Sequence, residues 1–293
     1  MYRFFAVFCS LFLGAAGCFA QHVSGQSSAN DALLWKISGN GLRQPSYIFG
    51  TLHIICQADY LWTGAMDKAL KSSAKVAMEM DMDDSALQTQ VSAGMTLSAG
   101  KTLKDFYSAQ DYNKLDSFAT KNNIPLQMLQ GFKPFTLMSL VYYKVVPCTL
   151  PSSYENNIAD AAHTQHKEIV GLESVSDQIA AIESMNEDST AKSVLDMLEN
   201  LDSFKTQYGQ MLALYKKQAL PELYKLILES PDYKDDLNTL LFDRNAKWIP
   251  EIEKLAKAQS TFIAVGAGHL WGDKGVIALL KKKGYTVLPV LNK

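Results

Sequence analysis

Apolar residues alternate or run together near both ends of the chain and recur every three to four positions in its middle. That pattern predicts strands at the ends and helices between them. Leu33 to Ser38 and Tyr47 to His53 read as strands, and the stretch joining them holds Asn40-Gly41 and Pro45, as in a hairpin with a long loop. A helix is expected from Thr63 to Ser72. Lys75 to Met80 then alternates, with Val76, Met78 and Met80 on one face and Ala77 and Glu79 on the other. From Asp84 to Ser230 the period is mostly helical, although Ile169 to Glu173 is a short β-like run. Val194, Leu198, Leu201, Phe204, Tyr208, Leu212 and Tyr215 mark the core-facing stripe of one long helix, and Pro221 suits the first turn of the next.

The clearest unit ends the chain. Phe262 to Val265 is a β run, Gly266-Ala267-Gly268-His269 a turn, Val276 to Lys283 a helix stopped by Gly284, and Tyr285 to Val290 a last strand. A β-turn-α-β unit of this kind predicts two parallel, adjacent strands. The expected class is α/β, with a mixed central sheet built from N- and C-terminal strands and a largely helical region inserted at about residues 84–230 of a single domain. No internal repeat or low-complexity segment interrupts it.

Residues 1–20 read as a secretory signal peptide rather than as part of the fold: Arg3, the apolar run Phe4 to Leu13, then the small residues Gly14 to Gly17. Cleavage after Ala20 would leave a soluble exported protein, periplasmic or secreted and without a transmembrane helix, starting at residue 21. The alternative is a lipoprotein anchored through Cys18, although Ala15 stands where a larger aliphatic residue is usual. Either route leaves Cys56 and Cys148 in a compartment where disulfides persist. They suggest one bridge; the other reading is two unpaired, packed thiols.

The 28 basic and 30 acidic side chains of the 293 residues give a net charge of −2, so nothing supports a general affinity for nucleic acid or anionic lipid. Any chemistry must be local. Gly50-Thr51-Leu52-His53 and Gly266-Ala267-Gly268-His269 both place a histidine at a strand end, three residues after a glycine, and two such motifs point to one shared site. Of the other histidines, His22 lies near the N-terminus, and His163 and His166 on an expected helix read as either metal ligands or solvated surface. Glu79, flanked by apolar residues and followed by Asp81, Asp83 and Asp84, and Glu173 are the carboxylates able to join His53 and His269. Imidazole with glutamate oxygen suits a divalent ion such as zinc, manganese or cobalt.

Ser46 to His53, Met78-Glu79-Met80-Asp81, Gly171-Leu172-Glu173, Arg244-Asn245 and Val265 to Leu270 together resemble the ordered motifs of the TraB/GumN family, which includes the Tiki metalloproteases that cleave Wnt proteins. The resemblance runs from about residue 31 to 290. It implies an α/β fold akin to erythromycin-esterase and ChaN-like proteins, with metal ligands at His53, Glu79 and His269. It also implies acid/base or oxyanion roles for Glu173, Arg244 and Asn245. Where the family usually has Asp-x-x-Leu, this chain has Glu155-Asn156-Asn157-Ile158, which keeps a carboxylate one methylene longer.

Three function classes follow: a metal-dependent hydrolase, most simply a peptidase acting on peptide or protein; a haem- or metal-binding protein; and a polymer-export accessory protein without turnover. The zincin motif His-Glu-x-x-His is absent. For the hydrolase, Glu173 or Glu155 is the expected general base, because neither is among the proposed ligands.

Overall fold

The computed structural model describes residues 31–229 and 236–291. The expected signal peptide, Cys18 and His22 lie outside these residues. Six strands form one mixed sheet: β1 Leu34–Ser38, β2 Ser46–Thr51, β3 Lys75–Met78, β4 Ile169–Gly171, β5 Thr261–Gly266 and β6 Thr286–Pro289, in the order β4-β3-β5-β2-β1-β6. The N-terminal hairpin forms as its turn residues suggest. Gly39, Asn40 and Gly41 all take positive φ there, a backbone region open to glycine and tolerated by asparagine.

The helices are α1 Gly64–Ser72, α2 Leu87–Gly94, α3 Ala109–Lys121, α4 Pro134–Tyr142, α5 Tyr154–Thr164, α6 Val175–Glu183, α7 Glu187–Glu199, α8 Leu201–Lys216, α9 Leu220–Leu228, α10 Asp243–Ala258 and α11 Val276–Lys282. The fold is the expected α/β class. The middle of the chain is helical apart from β4, which enters the sheet beside β3.

Two expectations need correction. β5 and β6 run in the same direction but are not neighbours, because β2 and β1 lie between them and β6 pairs antiparallel with β1. Both edges of β5 are taken, by β2 and β3, so the strand after α11 pairs instead with the free edge of the hairpin. The single helix expected across Val194 to Tyr215 is two. Asn200 closes α7 and opens α8, and its side-chain amide donates to Asp196 O (3.2 Å) and Asp196 Oδ1 (2.6 Å). Asn200 still donates its own N–H to Asp196 O (2.9 Å) but takes φ −117° and ψ 29°, outside helical geometry, and that ends α7. In β3, too, the alternation is deceptive: Val76, Ala77 and Met78 are all buried, as in a central strand covered on both faces.

The stripe on α8 does more than fill the core. Tyr215 Oη donates to Gly50 O (2.9 Å) and Tyr208 Oη to Ile54 O (3.2 Å), so both tyrosines pin the backbone on either side of His53. Phe49 packs against Trp62, Tyr154 and Phe262 at ring separations of 5.6, 5.5 and 6.2 Å, fixing the strand beneath that loop. Beyond His53, Ile55 pairs antiparallel with Ser152, and Cys56 is bonded to Cys148 with Cα atoms 5.9 Å apart. The start of α5 is thereby tied to the end of β2.

The disulfide spans 92 residues, a loop whose closure is worth about 4 to 5 kcal/mol in the chain-entropy model. Cys56→Ala with Cys148→Ala should therefore lower the urea midpoint substantially, and reductant should do the same to the native protein. A midpoint unmoved by both treatments would deny the bridge any part in stability.

Candidate functional site

Four parallel strands, β4, β3, β5 and β2, end on one side of the sheet, and each is followed within three residues by a candidate side chain: Glu173, Glu79, His269 and His53. Thr51 and Gly266 are Cα partners, so the two Gly-x-x-His motifs leave the sheet within one residue of each other. Their glycines serve close approach rather than unusual φ. A Cβ on Gly50 would stand 2.9 Å from Leu270 Cδ1 and 3.0 Å from Ala267 Cα, so the first motif makes room for the turn of the second. A Cβ on Gly266 would stand 3.3 Å from His53 Nε2, 3.4 Å from Glu79 Oε1 and 3.5 Å from His269 Cδ2. Those three groups gather around one point. Gly171 lets the chain after β4 lie against that after β3, where Glu173 N donates to Glu79 O (3.0 Å).

Each imidazole is held by its Nδ1. Asn245 Nδ2 donates to Lys274 O (2.9 Å), which leaves Asn245 Oδ1 to accept from His269 Nδ1 at 2.7 Å. His269 Nε2 therefore carries a lone pair. His53 Nδ1 lies 2.9 Å from Glu155 Oε1, a carboxylate that also accepts from Thr51 Oγ1 (2.7 Å) and Ser153 Oγ (2.8 Å). The longer side chain of Glu155 reaches its imidazole without difficulty.

Arg244 is the hub of the charges. Its Nη2 donates to Glu79 Oε2 (2.7 Å) and Glu173 Oε1 (2.5 Å), its Nε lies 3.1 Å from both Glu173 oxygens, and its Nη1 donates to Leu240 O (3.0 Å) and faces His269 Nε2 at 3.4 Å. Trp248 Nε1 completes Glu173 through Oε2 (3.0 Å), and Glu79 Oε1 accepts from Gly266 N (2.8 Å). Arg244 is the second residue of α10, which follows a five-residue π-helical stretch, Asn238–Phe242. Such an irregularity is frequent at functional sites.

Burial and charge pull these groups apart. Burial disfavours the charged form of His53, but the Glu155 carboxylate outweighs it and pushes the imidazole up to about 9. Burial without a hydrogen-bonded anion takes His269 down to about 3, so it is neutral. Burial alone would raise Glu79, yet Arg244 and both imidazoles hold it at about 2. Glu173 remains raised by burial despite its bonds from Arg244, and Glu155 is lowered because its three hydrogen-bond donors and the charge of His53 overcome burial.

The structure thus brings His53, Glu79, Glu155, Glu173, Arg244, Asn245 and His269 together. Asn245 is engaged at both ends and orients His269, and neither Glu155 nor Glu173 is free of donors. His163 and His166 share no site: His163 Nε2 bonds Asp83 (2.6 Å) at the surface, and His166 lies past the end of α5 with φ 52°. Sequence reasoning missed Trp248 and Gln178. Trp248 follows Arg244 by one helical turn, and Gln178 interrupts the apolar face of α6 formed by Val175, Ala181 and Ile182. Both signals were readable.

The sequence pattern of the TraB/PrgY/gumN family matches residues 33–289. The chain belongs to that family. It is also 24% identical, over 325 aligned positions, to a protein of Amphimedon queenslandica described as a metalloprotease TIKI homolog, an alignment covering 91% of this chain and 62% of the relative. The chain therefore spans less than two thirds of that relative's length. No solved structure matches.

The donor chemistry at Gly266 fits a divalent ion, with two imidazoles of outward-held Nδ1 and one carboxylate oxygen. Among the described residues, however, no three such side chains stand as a ready ligand shell, and Arg244 holds the second oxygen of Glu79.

Two opposite pH linkages follow for the metal-free protein. His53 binds its proton more tightly when folded, about 9 against 6.5, so its contribution is full below pH 6.5 and disappears as pH rises toward 9. His269 binds its proton less tightly when folded, about 3 against 6.5, so its contribution is full above pH 6.5 and disappears as pH falls toward 3. In chelator, the urea midpoint of His53→Gln should vary less than wild type on the alkaline side, and that of His269→Gln less on the acid side. Wild-type slopes in both variants would refute these protonation states. Gly266→Ala should cost about 1 to 3 kcal/mol by overpacking and shift the imidazole NMR signals of both histidines; unshifted signals would mean that they do not meet there.

Proposed function

We propose that the protein is an exported, metal-dependent hydrolase acting on peptide or protein substrates. The observation that carries this reading is the gathering of His53 Nε2, Glu79 Oε1 and the His269 ring around Gly266, with both Nδ1 atoms held from behind. In it, His53, Glu79 and His269 are the ligands of a manganese, cobalt or zinc ion. When bound, such an ion supplies Lewis acidity, polarising a substrate carbonyl and acidifying a water.

The chain's own groups do the rest. Glu155 and Asn245 orient the two imidazoles and set their tautomers. Glu173 is assigned to take the proton from water, because burial raises its proton affinity. Arg244, held over the site by Glu173 and Leu240 O, is assigned to stabilise the developing oxyanion. The name of the sponge relative supports the reaction class. Export is supported by the signal-like residues 1–20 and by the Cys56–Cys148 bond, and no helix among the described residues is long and apolar enough to cross a membrane. A second reading, metal or haem held without turnover, is favoured by one observation: every carboxylate of the site is already hydrogen-bonded.

Manganese, cobalt or zinc should raise the melting temperature of the wild type but not of His53→Ala or His269→Ala. Glu173→Gln should keep that response and lose at least two decades of kcat/KM in a peptide-library digest. Equal metal responses in all variants would remove the ligand assignment. Metal binding without cleavage by the wild type would move the second reading ahead.

A further inference from the structure

Gln178 sits on the buried face of α6 and is 1% exposed. Its Nε2 donates to Glu79 Oε2 at 3.3 Å, the same oxygen that takes Arg244 Nη2 at 2.7 Å. Its Oε1 is buried without a hydrogen-bond partner. The amide cannot relieve this by turning over, since that would set a carbonyl oxygen against the Glu79 carboxylate. An unsatisfied buried acceptor is destabilising, and an apolar side chain at this point of the stripe would avoid it. The nitrogen of this amide thus shares Glu79 Oε2 with the Arg244 guanidinium, while its oxygen is buried and unengaged.

We propose that Gln178 is a positioning residue that exchanges partners with Arg244: when a divalent cation takes Glu79, Gln178 Oε1 accepts the Arg244 N–H that Glu79 gives up. The inference rests on the metal-binding reading above, and it accounts for both unexplained features of the site. Glu79 is ion-paired to Arg244 rather than open to a metal, and a cation on Glu79 repels the guanidinium. Arg244 stays bonded to Glu173 throughout, so only its Nη2 contact to Glu79 needs a new acceptor. Gln178 Nε2 meanwhile keeps Oε2 of Glu79 in place, so that Oε1 still faces the two imidazoles. No bond is made or broken beyond hydrogen bonds and the metal–ligand contacts.

The test is manganese affinity by calorimetry on the wild type, Gln178→Met and Gln178→Glu, with melting in chelator alongside. Gln178→Met nearly preserves shape and removes the unpaired oxygen, so in chelator it should melt at or above the wild-type temperature. Its manganese affinity should fall by about 10-fold or more, the equivalent of a lost charge-assisted hydrogen bond. Gln178→Glu restores an acceptor for Arg244 and should recover affinity relative to Gln178→Met. If Gln178→Met binds manganese as the wild type does, or if its only change is a lower melting temperature in chelator, Gln178 is structural and the exchange is wrong. If the wild type itself takes up no manganese, cobalt or zinc, the metal reading fails and the exchange with it.

Discussion

Three carboxylates meet at one end of this sheet, and the surrounding structure gives each a cationic partner. Glu79 and Glu173 share the guanidinium of Arg244, while Glu155 pairs with the His53 imidazole. Removing one member of a buried pair strands a charge, at about 3 to 5 kcal/mol. Arg244 therefore fixes more than its own position. It requires α10 to lie across the strand ends, with a π-helical turn before it that leaves Leu240 O for the guanidinium and Trp248 one turn later for Glu173.

The register of β2 against β5 is the second constraint. Because Thr51 meets Gly266, two segments more than two hundred residues apart bring their histidines to the same end of the sheet, one residue out of register. Neither histidine is fixed by its own strand alone. His269 takes its orientation from α10 through Asn245, and His53 from α5 through Glu155, whose position depends on the Ile55–Ser152 pairing and the disulfide. The helical region between β3 and β5 thus supplies most of the groups that set the protonation of the site. That is why His53 and His269, alike in motif, differ so far in proton affinity.

Much of this was legible in the chain. Period and turn chemistry located the hairpin, β3, β5, the last helix and the last strand, because those signals are local. The paired Gly-x-x-His motifs marked the site, because glycine before a strand-end histidine has a steric reason that a sequence displays. Export logic left two cysteines, and they are bonded. Arg244 and Asn245 were marked by family resemblance, which carries their identity but not their partners, whereas Glu173 was marked by its place at the end of a β-like run.

What the sequence could not contain was who faces whom. The order β5-β2-β1-β6 reflects β2 and β3 occupying both edges of β5 while β6 pairs with β1, and adjacency in the chain says nothing of that. The break at Asn200 lies in that residue's non-helical backbone, capped by its own side-chain amide, in the middle of a continuous apolar stripe. The pairing of Glu79 with Arg244 and Gln178, and of Glu155 with His53, depended on burial, which makes a charge seek whatever partner the fold brings within reach. Sequence determined the elements and the reactive residues of this protein; tertiary structure alone decided their charges and partners, because both are set by burial and distance between residues far apart in the chain.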